Sequence, residues 1–126
     1  SHNPYYDNGI KLINDQGEKM DEETIELVED YLEVLLPTGW AGMGVEKRRA
    51  WFQEDDSIRE AGTQQRDYIS AVEVWAECFG NDPHRFPRQD RAEVNTILRQ
   101  LQGWKEEPRR QRCGPYGQQT RFRRVP

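Results

Sequence analysis

The sequence predicts a mainly α, α+β domain: a winged helix-turn-helix with a C-terminal β-hairpin and an extra N-terminal acidic helix. Three observations carry that reading. The stretch Asp90–Gln102 places Val94, Ile97, Leu98 and Leu101 on one stripe at helical spacing, with polar residues on its other faces. Beyond Gly103, a basic segment from Trp104 to Val125 is interrupted by Gly114-Pro-Tyr-Gly117, a β-turn pattern with proline second and glycine fourth. Upstream, the patterns give helix, short strand, helix and turn, so the full order is that of a winged helix.

Each element has its own warrant. Residues 1–20 lack a sustained period and read as an extended arm, which leaves 21–126 as the folded domain with its winged core at about 45–125. Asp21 is a fair N-cap for an acidic helix over 22–36, in which Ile25, Val28, Leu32, Leu35 and Leu36 share a face and Glu22, Glu26, Glu29, Asp30 and Glu33 cover the rest. That apolar face either caps the core or docks on a neighbouring domain. Pro37-Thr-Gly39 ends the helix, and a second short helix at about Val45–Glu54 is anchored by Trp51 and Phe52. The polar stretch from Asp55 to Gln65 reads as a loop.

Tyr68-Ile69 is a candidate strand directly before Ser70-x-x-Glu73, a capping box in which serine and glutamate satisfy the first backbone donors of a helix. That helix, Ala71–Phe79, should face the core through Val72, Trp75, Cys78 and Phe79, with Gly80 at the left-handed position that follows it. Asp90-x-x-Glu93 repeats the capping box for the helix at 90–102. In the last strand, a period of two turns Phe122 inward and sets Arg121 and Arg123 on the opposite face.

Composition narrows the function. At 126 residues the chain is the size of one ordinary domain, with 34% hydrophobic and 33% charged residues, so its core is small and its surface heavily solvated. The net charge of −5 is segregated: residues 1–62 hold fifteen acids against six bases, and residues 63–126 hold eight against twelve. A local basic face is compatible with nucleic-acid contact even in an acidic chain. No apolar run approaches the ~18 residues that cross a bilayer, and the opening Ser1-His-Asn-Pro-Tyr5 has no secretory pattern, so the expectation is a cytoplasmic protein with no membrane contact. Cys78 and Cys113 lie far apart, with only His2 and His84 to join them, so neither a metal nor another cofactor is expected. The chain has no phosphate-binding loop, nucleophile elbow or metalloprotease helix. Glu73 and Glu77 have the spacing of paired carboxylates but no basic or metal partner nearby in sequence, and they read as exposed surface, leaving no catalytic residue.

The candidate DNA contacts follow from the helix–hairpin pairing. Opposite the apolar stripe of 90–102 lie Ala92, Asn95, Thr96 and Arg99, of which Asn pairs with adenine and Arg with guanine in a major groove. Arg109, Arg110, Arg112, Arg121, Arg123 and Arg124 would meet phosphates from the hairpin, giving weak, salt-sensitive binding. Tyr116 at the hairpin tip could stack on a base or pack back on the hairpin, and Trp104 and Phe122 read as core.

The strings Val74-Trp-Ala-Glu-Cys-Phe-Gly80-x-Asp-Pro83, Asp90-Arg-x-Glu93-x-Asn95-x-Ile97-Leu98, Gly103-Trp104 and Gly114-Pro-Tyr-Gly117-x-Gln119 resemble the C-terminal region of the virulence-associated protein E (VapE) family. Glu46-Lys-Arg-Arg-Ala-Trp51 and Gly62-Thr-Gln-Gln-Arg66 look like its upstream part. The resemblance implies a prophage-type DNA replication protein of primase-helicase kind. On it, this chain is a non-catalytic, DNA-binding winged-helix appendage of a P-loop ATPase domain that the sequence does not contain. The alternative is a protein-interaction or packing module that docks on the ATPase domain or another subunit.

Overall fold

A helix buried on every side is the element around which the other parts are arranged. The computed structural model describes residues 22–54 and 61–125, with the side chain of Glu23 outside the description. The expected arm at 1–20 and the first half of the loop after Glu54 lie outside the described residues. Within them the architecture is mixed α+β: helices packed on a small antiparallel sheet.

Helix α1, Glu22–Glu33, buries Val28, Tyr31 and Leu32. It stops three residues short of the expected end, so Leu35 leaves the apolar face and is half exposed, while Leu36 turns into the core as an isolated bridge partner of Gln64. The approach of these two segments is tight. A Cβ added to Gly62 would lie 1.8 Å from the carbonyl oxygen of Leu35. After one turn of 3-10 helix at Trp40–Gly42, helix α2 spans Val45–Gln53 and buries Arg48, Trp51 and Phe52. Trp40, Trp51 and Phe52 pack edge to face and Tyr31 lies tilted against Phe52, with ring centroids 5.0 to 5.6 Å apart.

Strand β1, Tyr68–Ser70, runs straight into helix α3, which starts as α-helix at Ala71–Glu73 and continues as π-helix at Val74–Cys78. The capping box forms as expected, with the backbone N–H and hydroxyl of Ser70 both donating to Glu73 Oε2 at 2.9 Å. The widened turn is marked by the Phe79 N–H reaching the Val74 carbonyl at 3.0 Å. Every residue from Ala71 to Phe79 is buried, and Gly80 exits at φ 72°.

Helix α4, Arg88–Gln100, begins two residues before the expected capping box. Pro87 is its N-cap, and no side chain caps it. Proline explains the shift: its fixed φ is already helix-compatible and it keeps Phe86 extended, so the turn ends at Pro87 and not at Asp90. Val94, Ile97 and Leu98 face the core, and Leu101 packs partly against it.

The hairpin arms are β2, Trp104–Glu106, and β5, Arg121–Arg124, and they pair antiparallel with Trp104 opposite Arg124 and Glu106 opposite Phe122. Strand β1 pairs on the other edge of β5, Ile69 opposite Phe122, giving the order β1-β5-β2. Between the arms, β3 (Gln111–Arg112) and β4 (Gln118–Gln119) pair around a 3-10 turn at Gly114–Tyr116. Phe122 and Ile69 are fully buried under α3 and α4.

Because Leu98 is fully buried between α4 and the sheet, Leu98→Ala should lower the free energy of unfolding by about 2–5 kcal/mol in a denaturant titration. A loss below about half a kcal/mol would mean that this face of α4 is not packed.

Candidate functional site

The two carboxylates expected at the surface are instead at the centre of the molecule. Glu73 and Glu77 are about 1% exposed or less, and they meet two equally buried arginines from different elements. Arg48 of α2 donates from Nη1 to Glu73 Oε1 at 3.0 Å and to Glu77 Oε2 at 3.1 Å, and from Nη2 to the Trp40 carbonyl at 3.0 Å. Arg66 stands farther off, 3.9 Å from Glu73 and 3.7 Å from Glu77, with its guanidinium over the Tyr31 ring. The Tyr31 hydroxyl donates to Glu77 Oε1 at 2.6 Å, and the Tyr116 hydroxyl to Glu77 Oε2 at 2.8 Å. Tyr116 therefore neither stacks in solvent nor packs only on its own hairpin. It pins the hairpin tip to α3.

Burial governs the titration of this cluster. The Glu73 carboxyl is pushed up to about 7, by loss of water first and by the neighbouring Glu77 second, against the opposing pull of Arg66 and Arg48. The hydroxyls of Tyr31 and Tyr116 are raised well above their ordinary value by burial and by Glu77. The Cys113 thiol is pushed up to about 11, again chiefly by burial, and both cysteines are buried free thiols. Among the described residues no group of three His, Cys, Asp or Glu side chains could hold a metal ion.

Three of the seven arginines expected to form a cationic face are paired with carboxylates. Arg99 forms an ion pair with Glu106 at 2.8 Å, and Arg121 is clamped by Glu107 and lies over the Tyr68 ring. Arg124 reaches Glu33 at 3.1 Å, donates to the Arg66 and Leu32 carbonyls, and covers the Trp104 ring. Arg121 and Arg124 are thus engaged within the fold, and Arg121 is not the solvent-facing side chain that strand alternation suggested. Thr96 spends its hydroxyl on the Ala92 carbonyl one turn back, at 2.9 Å. Arg109, Arg112 and Arg123 are exposed, with no carboxylate in ion-pair range among the described residues.

Asn95 and Arg110 come together with a residue that the sequence reading passed over, Arg91. They line a polar pocket of about 260 Å³ between α4 and the hairpin, completed by Ala71, Gln119 and Thr120. Arg91 is half-buried. It donates to Gln119 Oε1 at 3.2 Å and packs over the Phe86 ring, while Arg110 donates to the Gln118 carbonyl. Neither has a carboxylate partner among the described residues. Loss of water, and then the like charge of Arg110, pull the Arg91 guanidinium below its ordinary range. Asn95 Oδ1 is buried with no hydrogen-bond donor among the described residues. Two cations that line one pocket without a carboxylate partner form an arrangement that an anion would relieve, while Asn95 Oδ1, an acceptor, calls for a donor.

Several signals for these sites were present in the sequence. Arg48 lies at i−3 and i−4 from Trp51 and Phe52, on the buried face of its helix, and Ala71–Phe79 holds no polar side chain besides the two glutamates. Arg91 and Gln119 carried no such signal, because they are 28 residues apart and meet only through the fold.

No protein-family model matches the sequence. Short stretches are similar to phosphoglucosamine mutases: 67% identity over 33 residues with that of Lachnospira eligens, covering 26% of this chain and 7% of the relative. The enzyme of Lachnoclostridium phytofermentans is 51% identical over 37 residues, 29% of this chain and 8% of its own length. That of Methylococcus capsulatus is 59% identical over 32 residues, 25% and 7%. The chain thus spans less than a tenth of these relatives, too little to place it in their family. The matches nonetheless overturn the resemblance to the VapE family, and with it the reading as an appendage or docking module of a prophage primase-helicase ATPase. The strings behind that resemblance include capping residues, turn glycines and core aromatics, which folding physics selects in unrelated chains. Among the described residues no helix is long and apolar enough to cross a membrane.

The raised Glu73 carboxyl sets a pH dependence of stability. A group that binds its proton more tightly when folded stabilises the fold fully below its unfolded value, and that contribution fades as pH rises through the folded value. Between about pH 4.5 and 7 the Glu73 contribution should therefore fall with rising pH, by up to about 1.4 kcal/mol per unit, and Glu73→Gln should flatten the profile. Denaturant titrations across that range would check it; an unchanged slope in Glu73→Gln would assign the dependence to another group.

Proposed function

We propose that this chain is a non-catalytic binding module of winged-helix type whose pocket between α4 and the hairpin takes the phosphoryl group of a small ligand. One observation carries the reading: Arg91 and Arg110 converge on one pocket without a neutralising carboxylate among the described residues. A phosphoryl group offers several acceptor oxygens to two guanidinium donors, and the pairing is charge-assisted. The winged-helix reading draws support from the strand order β1-β5-β2, with a short first strand ahead of two helices and a hairpin after them.

The similarity of short stretches to phosphoglucosamine mutases favours a sugar phosphate as the ligand class. Asn95 Oδ1 would accept a hydrogen bond from a sugar hydroxyl beside the phosphate. The mutase activity does not follow, since so little of those enzymes is spanned. Ala71, Arg91, Asn95, Arg110, Gln119 and Thr120 include no group that exchanges a proton near neutral pH, so the pocket would hold its ligand without turning it over. A small ligand is favoured over a nucleic-acid backbone because Arg99, Arg121 and Arg124 are already engaged in ion pairs.

Calorimetric titration of the chain with inorganic phosphate, glucosamine 6-phosphate and glucosamine should give binding of the first two only, the sugar phosphate being tighter. Arg91→Ala and Arg110→Ala should each weaken it by about tenfold or more, as expected for a lost charge-assisted hydrogen bond. Binding of duplex DNA that survives both substitutions, or no phosphate binding at low salt, would overturn the assignment.

A further inference from the structure

On the other side of α3, a second cavity of about 90 Å³ is lined by Leu36, Trp40, Ala41, Gln64–Tyr68 and Glu73. It adjoins the buried ionic cluster, and the unpartnered atoms there are all donors. Trp40 Nε1, Arg66 Nε and Arg66 Nη2 are buried and find no acceptor among the described residues, as is also true of Arg48 Nε close by. The reason is visible in the cluster. Glu73 and Glu77 already accept from Arg48, Ser70, Tyr31 and Tyr116, so Arg66 is left at 3.7 and 3.9 Å, attracted but not hydrogen-bonded. Nε and Nη2 are the pair of guanidinium nitrogens that matches the two oxygens of a carboxylate. Buried donors without acceptors are costly, and native folds satisfy them with water or a ligand.

We propose that this cavity is a binding site for a short-chain aliphatic carboxylate, whose oxygens accept from Arg66 and Trp40 and whose tail lies against Leu36 and Ala41. The size agrees, since about 90 Å³ corresponds to about three water molecules at liquid density. The lining sets the apolar Leu36 and Ala41 beside the unpartnered donors of Trp40 and Arg66, with the carboxyl groups of Asp67 and Glu73 also on the wall. The site is separate from the phosphoryl pocket and shares no residue with it.

Charge balance adds a second property. The two arginines and two glutamates cancel, so an entering carboxylate brings one uncompensated negative charge against the buried inner wall of the pocket. Glu73 is the group that can take up a proton with it. It faces Arg48 from α2, Arg66 and Tyr68 from the segment entering and forming β1, Glu77 on its own helix, Tyr31 from α1, and Cys113 and Tyr116 from the hairpin. Burial holds the Glu73 carboxyl near neutral pH.

The test is a titration of the isotope-labelled full chain with sodium propionate, followed through the Trp40 indole N–H resonance, which is assigned by its loss in Trp40→Phe. Propionate should shift that resonance saturably, propionamide should not, and affinity should strengthen by up to about tenfold per unit as pH falls from 9 to 7. Trp40→Phe, whose resonance dispersion reports its fold, should bind propionate about tenfold more weakly. Arg91→Ala should leave the response unchanged, which separates this site from the phosphoryl pocket. An unshifted Trp40 resonance in the wild-type chain, meaning that water alone fills the cavity, would overturn the proposal, as would equal binding of propionamide.

Discussion

Glu77 is the point on which the structure depends. Its two oxygens accept from Tyr31 on α1, Arg48 on α2 and Tyr116 at the hairpin tip, so a single carboxylate joins three elements to the central helix. A buried carboxylate is tolerable only when its charge is met and its lone pairs are filled. Each of these partners is therefore a condition for the others. Arg48 in turn needs Glu73, and Glu73 needs the Ser70 cap, which fixes where β1 ends and α3 begins.

This arrangement accounts for the odd geometry of α3. A helix sheathed on all sides has no solvated face on which to place polar residues, and its two glutamates are directed at arginines from neighbouring elements. The π-turn at Val74–Cys78 lies between the Glu73 cap and the exit at Gly80, inside the segment that carries both carboxylates. Insertions of this kind recur where a helix must present side chains at an unusual angle. The aromatic cluster of Trp40, Trp51 and Phe52 packs beside it and keeps water from the charges.

Much of the fold could be read from local chemistry. The Ser70 capping box, the left-handed Gly80, the apolar stripe of α4 and the inward Phe122 all depend on neighbours within a few residues, which is the range over which sequence patterns speak. The errors came where a distant partner decided the outcome. Glu73 and Glu77 looked like surface because Arg48 and Arg66 could not be seen next to them. Arg121 and Arg124 looked free because Glu107 and Glu33 lie 14 and 91 residues away. Arg91 carries no local signal, because Arg110 and Gln119 reach its pocket only through the fold. Motif strings misled for the complementary reason: turns and caps recur wherever the backbone requires them, so they mark a fold more faithfully than an ancestry.

The ionic cluster also constrains how the chain can fold. The hydrogen bonds that the two glutamates accept from Arg48, Tyr31 and Tyr116 link residues 25, 29, 39 and 46 positions apart, so none of these forms with local structure. A partly assembled core would hold a carboxylate or guanidinium away from water before its partner arrived, a state costlier than either end point. Intermediates that bury α3 without α2 or without the hairpin are therefore penalised. Collapse must wait for loops of this length to close, which slows the search. The same penalty acts in reverse: the native state should not fray piecemeal from α1 or from the hairpin tip, but open as one unit.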